Sequence, residues 1–333
     1  MAEQLSLFVE ENTLFNSGIE QLLDMDFTGC KKTFQSYSKL YPWGRDVSRE
    51  MGMAEFWIER LGEKNWDQVE ETEALRIYEI WLEFEETFGH PWPEYGIEHL
   101  FQGRFFSQLV DGLDKSGHSE TPKLSGRIPR GFFHLLAGRL DAAITSLQTL
   151  IAVEPEDAKA YGYLGDAFLL GGDIPTAREC YRRAFALAPN GVDIKHLCDS
   201  ELKIRREDLE ADERFNGDPL GWFPTIAQLE GLFEPLIIMD MEHLRYWLQR
   251  YRCLLDIYNK DGDHAHIPRL FYHAMVLSDN ASALEFIRDV DLIEIRQSMR
   301  EWQSDLFAWH MKELEERESR SKARFPYLRS AFT

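Results

Sequence analysis

The feature that most limits the folds open to this chain is an internal repeat. Gly131 and Gly165, Gly138 and Gly172, Ala143 and Ala177, Leu147 and Tyr181, and Pro155 and Pro189 each stand 34 residues apart. The N-terminal segment keeps the same internal spacing. Gly18, Asp26, Phe27, Cys30, Phe34, Leu40 and Pro42 follow the intervals of Gly165, Asp173, Ile174, Ala177, Tyr181, Leu187 and Pro189. One further step of 34 from Gly18 reaches Gly52. A fixed period of this length marks one supersecondary unit used several times over, and it decides the fold before any single element is placed.

Each recurring residue type has a mechanical reason. Gly18, Gly52, Gly131 and Gly165 on a first helix let a second helix approach closely, and Cys30, Ala143 and Ala177 do the same from the second helix. Gly138-Arg139 and Gly172-Asp173 suit the tight turn between them, where a left-handed residue is needed. Pro42, Pro155 and Pro189 end the second helix. Phe34, Leu147 and Tyr181 have the size to fill the wedge between stacked hairpins.

This pattern resembles the tetratricopeptide repeat family. Its best unit is Ala158–Gly191, with Tyr161, Leu164-Gly165, Ala167-Phe168, Gly172-Asp173, Ala177, Tyr181, Ala184 and Pro189-Asn190 in place. Leu124–Asp157 matches in its second half, but Arg127 and Arg130 stand where the family has an aromatic residue and a leucine. Glu11–Gly44 is a fair match, and the unit from Arg45 keeps a first helix and then departs. The resemblance covers roughly a third to two-fifths of the chain. It implies an all-α fold, an α-α superhelix of helical hairpins with a C-terminal helical bundle or capping region. It also implies a scaffold or adaptor that binds another protein, not an enzyme, because the family marks binding modules with many different partners.

In that family the first helix of each hairpin lines a concave face. The matching positions here are Phe15, Ile19, Leu22 and Leu23, then Asp46, Arg49, Met53, Phe56 and Trp57. The two later units add Ile128, Phe132, Leu135 and Leu136, then Lys159, Gly162, Asp166, Leu169 and Leu170. The resemblance thus implies a protein-binding groove built from Ile19, Leu22, Leu23, Met53, Phe56, Trp57, Phe132, Leu135, Leu136, Asp166, Leu169 and Leu170. Chaperone-binding members clamp a C-terminal carboxylate with Lys, Arg and Asn at these positions. Here they are mostly apolar, which argues against that activity. A face this apolar needs a cover: an amphipathic helix of a partner, a second copy in a homodimer, or the chain's own helices.

Four regions are expected along the chain: 1–113, degenerate repeat-like helices; 124–191, two well-matched units; 192–320, a C-terminal helical region; and 321–333, a basic aromatic tail. Helical periodicity is read over Trp66–Phe88, Glu94–Leu113 and Val192–Phe215. Beyond the turn-rich Asn216–Pro224 it is read over Thr225–Phe233, Met239–Asn259, His266–Ser278, Ala281–Val290 and Leu292–Ser319. Gly89-His90-Pro91-Trp92-Pro93 and Asp114–Pro129 read as breaks. In the tail, Arg320, Lys322, Arg324 and Arg329 interleave with Phe325, Tyr327, Leu328 and Phe332, a pattern suited to folding back on the acidic run Asp67–Glu86.

Composition narrows function further. A net charge of −21 repels a phosphate backbone, so no nucleic-acid partner is expected. No apolar run is long enough for a membrane span, and Met1–Glu11 does not read as a secretory signal. Cys30, Cys180, Cys198 and Cys253 lack paired spacing, which fits buried free thiols in a reducing, cytoplasmic setting. No phosphate loop, nucleophile elbow or zinc-protease motif is present, and no cofactor is expected. The alternative reading is a metal-dependent or regulatory enzyme using the His264/His266 region, in Asp261-Gly262-Asp263-His264-Ala265-His266 with His273 beyond. The same residues are good helix-ending and capping chemistry, and no metal site is expected.

Overall fold

The computed structural model describes residues 2–62, 64, 66–89, 97–117, 122–215 and 218–324. Among these described residues the fold is all-α, with one two-residue β-ladder. The chain divides into two compact units, residues 1–155 with 166–172 and residues 156–165 with 173–333. The division falls inside the second well-matched repeat, whereas the sequence has the repeats end at residue 191 and suggests a change of organisation at Asn216–Pro224.

The first unit runs α1 (Ala2–Leu23), α2 (Phe27–Leu40), α3 (Ser48–Leu61), α4 (Glu71–Phe88) and α5 (Ile97–Lys115). The antiparallel pair β1 (Lys123–Leu124) and β2 (Ile128–Pro129) follows, then α6 (Arg130–Leu136) and α7 (Leu140–Val153). Helix α8 (Ala158–Leu170) contributes residues to both units.

The repeated glycines do what their spacing implies. A Cβ on Gly18 would lie 2.6 Å from the Phe34 ring, one on Gly131 2.5 Å from Leu147 Cγ, and one on Gly165 2.5 Å from the Tyr181 ring. All three large side chains are fully buried. Phe34, Leu147 and Tyr181 therefore sit on the glycine of their own hairpin, a closer role than the wedge between hairpins. Gly52 has no such partner: its nearest neighbour is the Phe88 ring at 3.5 Å. The period is lost at that step.

The hairpin turns repeat as well. Gly138 and Gly172 have φ of +71° and +84°, and the amide of each donates three residues back, to Leu135 O and Leu169 O. Met25 holds the same left-handed place in the first hairpin, with φ +61° and its amide on Leu22 O. Asp26 and Asp173 then cap the next helix, accepting from the amides of Gly29 and Thr176. Arg139 takes that position in the α6–α7 hairpin and instead grips both carboxylate oxygens of Asp111 at 2.7 and 2.9 Å.

The second unit holds the first half of α8, then α9 (Ile174–Leu187), α10 (Ser200–Glu210), α11 (Phe223–Leu229) and α12 (Met241–Asp261). It ends with α13 (Ile267–Asp279), the short α14 (Ala281–Leu284), α15 (Leu292–Trp302) and α16 (Ser304–Arg324). Helix α13 is its centre, buried at every position except Arg269 and Asp279. Its C-terminal end is fixed by Asn280, whose amide group donates to Leu236 O and Val276 O while its Oδ1 accepts from Ile238 N.

Several expected helices are shorter, for local reasons. Residues 192–199 are not helical, because two acidic side chains fix a turn there. Asp193 accepts from Tyr163 Oη at 2.7 Å and pairs with His196, and Asp199 caps α10 through Leu202 N. Burial raises the Asp193 carboxyl, but His196, Tyr163 and Lys159 together hold it down to about 2. Leu292–Ser319 is two helices, broken at the extended Gln303 before Ser304. Trp66–Phe88 keeps only its part from Glu71, and Ala281–Val290 keeps one turn. Residues 90–96, the centre of the first expected break, and 325–333, most of the basic aromatic tail, lie outside the described residues.

Candidate functional site

The predicted groove residues all fall in the first unit, and most of them lie in its interior. Leu22, Leu23, Met53, Trp57, Phe132, Leu135, Leu136 and Asp166 are each at most 3 % exposed. Ile19, Phe56 and Leu169 are half-buried, and only Leu170 is exposed, at 40 %. Of the candidate covers for this apolar face, the chain itself supplies one.

That cover is α5. Phe101 and Phe105 reach the Trp57 ring, with centroids 5.9 and 4.8 Å away, and Phe101 also meets Phe27 at 6.1 Å. On its other side Phe106 stacks on Phe133 at 5.8 Å and lies against Trp81 at 4.9 Å. Gln102 Nε2 donates to Leu136 O at the end of α6. Gly112 brings the backbones together: a Cβ there would lie 2.6 Å from Trp66 O, and its carbonyl accepts from Val69 N. The signal in the sequence was the second apolar stripe of α5, Phe106, Val110 and Leu113, beside Phe101, Phe105 and Leu109. A helix apolar around most of its surface is enclosed by its neighbours.

The acidic run Asp67–Glu86 lies mainly on α4, where Glu79, Glu83 and Glu86 are exposed as a solvated face requires. Glu71 and Glu73 occupy the first turn, where carboxylates favour the helix dipole. Glu85 breaks the pattern: it is buried, and its Oε1 accepts from Trp81 Nε1 at 2.7 Å.

One side of α5 stays open. A cleft of 460 Å³ runs between it and the end of α6, lined by His99, Leu100, Gly103, Arg104, Ser107 and Gln108 and by Leu136–Gly138. Leu100 is 56 % exposed there. Gly103 is one of its lining residues, and a Cβ at that position would meet nothing within 4 Å. Arg104 holds the rim through Asp24 at 2.6 Å and Glu20 at 3.4 Å.

The His264/His266 segment is built as a turn. Gly262 ends α12 in the left-handed conformation, φ +68°, and Asp263 caps the following turn through Ala265 N. His266 Nε2 pairs with Asp261 Oδ2 at 3.0 Å. His273 is buried, with Nδ1 on Arg269 O at 2.8 Å. Among the described residues no three His, Cys, Asp or Glu side chains are grouped as metal ligands would be. Of the thiols, Cys30 and Cys180 are buried and pushed up to about 12 by burial, first of all, and by nearby carboxylates. Cys198 is half-buried and Cys253 is exposed, contrary to the expectation of buried thiols throughout. No described helix is long and apolar enough to cross a membrane.

Helical hairpins with a glycine under a large side chain and a left-handed turn, recurring at one interval, define a helical-hairpin repeat protein. Residues 134–192, from within α6 to just beyond α9, match the family model of the tetratricopeptide repeat. A stretch of 63 residues, 19 % of this chain, is 34 % identical to part of Superkiller complex protein 3 of Mus musculus. That stretch is 4 % of the mouse protein, so the chain spans only a small part of this relative's length. No solved structure matches the chain.

Proposed function

We propose that this chain is a cytoplasmic protein-binding scaffold that presents the outside of a self-filled repeat array. The observation that carries the reading is the pair of tetratricopeptide hairpins within residues 134–192, since such repeats serve in general as protein-interaction modules. The partner is a protein or peptide, not a nucleic acid: a chain of net charge −21 repels phosphate.

The docking surface in this reading is the cleft between α5 and α6. It supplies apolar area at Leu100, and it is flanked by Arg104 and His99 in a strongly acidic chain. Leu100 offers an apolar seat for an amphipathic helix, while the charge of Arg104 is already met by Asp24 and Glu20. Leu136 links the cleft to the predicted groove.

Gly103→Trp tests it. The site has room for a side chain, so the variant should fold and melt like wild type while the indole fills the cleft. Proximity labelling in cells, with wild type and variant at equal abundance, should then show the variant losing a defined subset of neighbours. Identical neighbour sets from two equally stable proteins would remove the cleft as the docking surface.

A further inference from the structure

A second recess, in the other unit, has different chemistry. It is a pocket of 310 Å³ where the C-terminal half of α12 meets α15, and its walls are aromatic. The Tyr258 and Trp302 rings stand at 87° with centroids 6.3 Å apart, and His264 stands at 68° to Tyr258, also at 6.3 Å. Leu255 and Ile267 line it as well. Tyr258 and Trp302 are both half-buried, so their faces are not closed off by packing. Glu301 sits beside Trp302 at the pocket, exposed and with no ion pair to any described residue. Asn259 and Ser298 add polar atoms.

We infer that this pocket binds the guanidinium of an arginine side chain on a partner protein. The inference rests on the reading of the chain as a protein-binding scaffold and supplies one element of its recognition. The Tyr258 and Trp302 rings meet edge to face, and a ring face left open to the pocket attracts a cation and repels an anion. A carboxylate at the edge of the same space strengthens that preference. A purely apolar ligand would cover Glu301 without pairing it, which is unfavourable.

The acceptors choose among cations. Glu301 and the Asn259 carbonyl oxygen call for N–H donors, which a quaternary ammonium lacks. A guanidinium is flat, stacks on an indole or phenol face, and can meet a carboxylate with two parallel N–H groups. A lysine ammonium is a more strongly hydrated point charge and uses an aromatic wall less well.

The test uses the full chain labelled with ¹⁵N, following the Trp302 indole N–H resonance, which is assigned by its absence in Trp302→Phe. It is titrated with N-acetylarginine methylamide and, separately, with the lysine, trimethyllysine and citrulline analogues. The arginine compound should shift the resonance saturably. The neutral citrulline compound, of nearly the same shape, and the Glu301→Gln variant should each bind roughly tenfold more weakly. Trp302→Ala, checked for an unchanged melting temperature, should abolish binding as followed on neighbouring amides. Equal binding of citrulline, or no saturable shift with arginine, overturns the inference. Tighter binding of trimethyllysine overturns the guanidinium assignment. The titration needs no partner protein, so a blank leaves the Gly103→Trp result standing, and a failure there leaves this pocket untouched.

Discussion

Gly18→Ala separates two opposed effects at one position. Inside a helix, alanine is better than glycine by about 1 kcal/mol, because glycine loses more backbone entropy on folding. Against that, the added Cβ would lie 2.6 Å from Phe34 Cζ, with Cε1 and Cε2 at 2.8 and 2.9 Å. The ring is fully buried and meets Phe15 edge-on at 5.9 Å, so it cannot simply swing aside. Ordinary contact requires α1 and the ring to part by on the order of 1 Å, and overpacking of that kind costs about 1–3 kcal/mol. The net expectation is a loss of about 0–2 kcal/mol. Gly103→Ala, in the interior of α5 with nothing within 4 Å of the new Cβ, should instead gain up to about 1 kcal/mol. Both glycines lie in the same unit, so their urea midpoints at constant slope compare directly. Phe34→Leu should partly rescue Gly18→Ala, leaving a coupling of about 1 kcal/mol in the double-mutant cycle. If Gly18→Ala stabilises as much as Gly103→Ala, the close hairpin contact does not exist at the N-terminus and the repeat does not begin there.

Met25→Gly should raise stability by about 0.5–1 kcal/mol, since a left-handed residue with a Cβ is strained and only part of that gain is lost to glycine's entropy; a thermal melt decides. Acid should unfold the second unit through its buried histidines. Desolvation, reinforced by Arg317 and Arg296, depresses His310 to about 3, and desolvation depresses His273 to about 4. The unfolded chain then binds protons that the folded chain refuses, so stability is present above the ordinary histidine value near 6.5 and is lost as pH falls below it. Each histidine contributes a slope of about 1.4 kcal/mol per pH unit, and His310→Leu should remove one share of it between pH 6 and 4 in urea titrations. A disulfide-exchange reagent should modify Cys253 first in the native protein and reach Cys30 and Cys180 only on unfolding; prompt reaction of Cys30 would contradict its burial.

The repeat was legible because its residues are chosen by backbone geometry. Gly131, Gly165, Gly138 and Gly172 are needed by close approach or by a positive φ, demands that no surrounding packing can waive. Met25 shows why the N-terminal unit looked weaker: it holds the turn geometry without the glycine that advertises it. What the sequence concealed were relations set by distant neighbours. Residues 193–199 carry helix-compatible side chains, yet Tyr163 and His196 draw Asp193 into a turn. The groove positions are mostly apolar, but periodicity on α3 or α6 says only that a face needs covering. The identity of the cover was written on α5, in a double stripe whose meaning depends on what lies to either side. The pocket at Tyr258 and Trp302 joins two helices far apart in the chain, with nothing local to mark it.

The filling of the inner face bears on where a partner can bind. Opening that face means withdrawing α5 and exposing Phe101, Phe105, Phe106, Leu109, Val110 and Leu113, all fully buried. At about 1.5–3 kcal/mol for each large apolar side chain, the cost from α5 alone is on the order of 10 kcal/mol, before Trp57, Met53 and Phe132 are counted. Whole domains are stable by about 5–15 kcal/mol. A partner helix would have to restore nearly all of that burial with its own side chains merely to break even, and still supply the entropy lost on association. Surfaces already open, such as the cleft beside Gly103 and the aromatic pocket beside Glu301, carry no such cost. In the scaffold reading proposed above, partners dock on these open surfaces, and substitutions at Trp57 or Phe132 should act on folding before they act on binding.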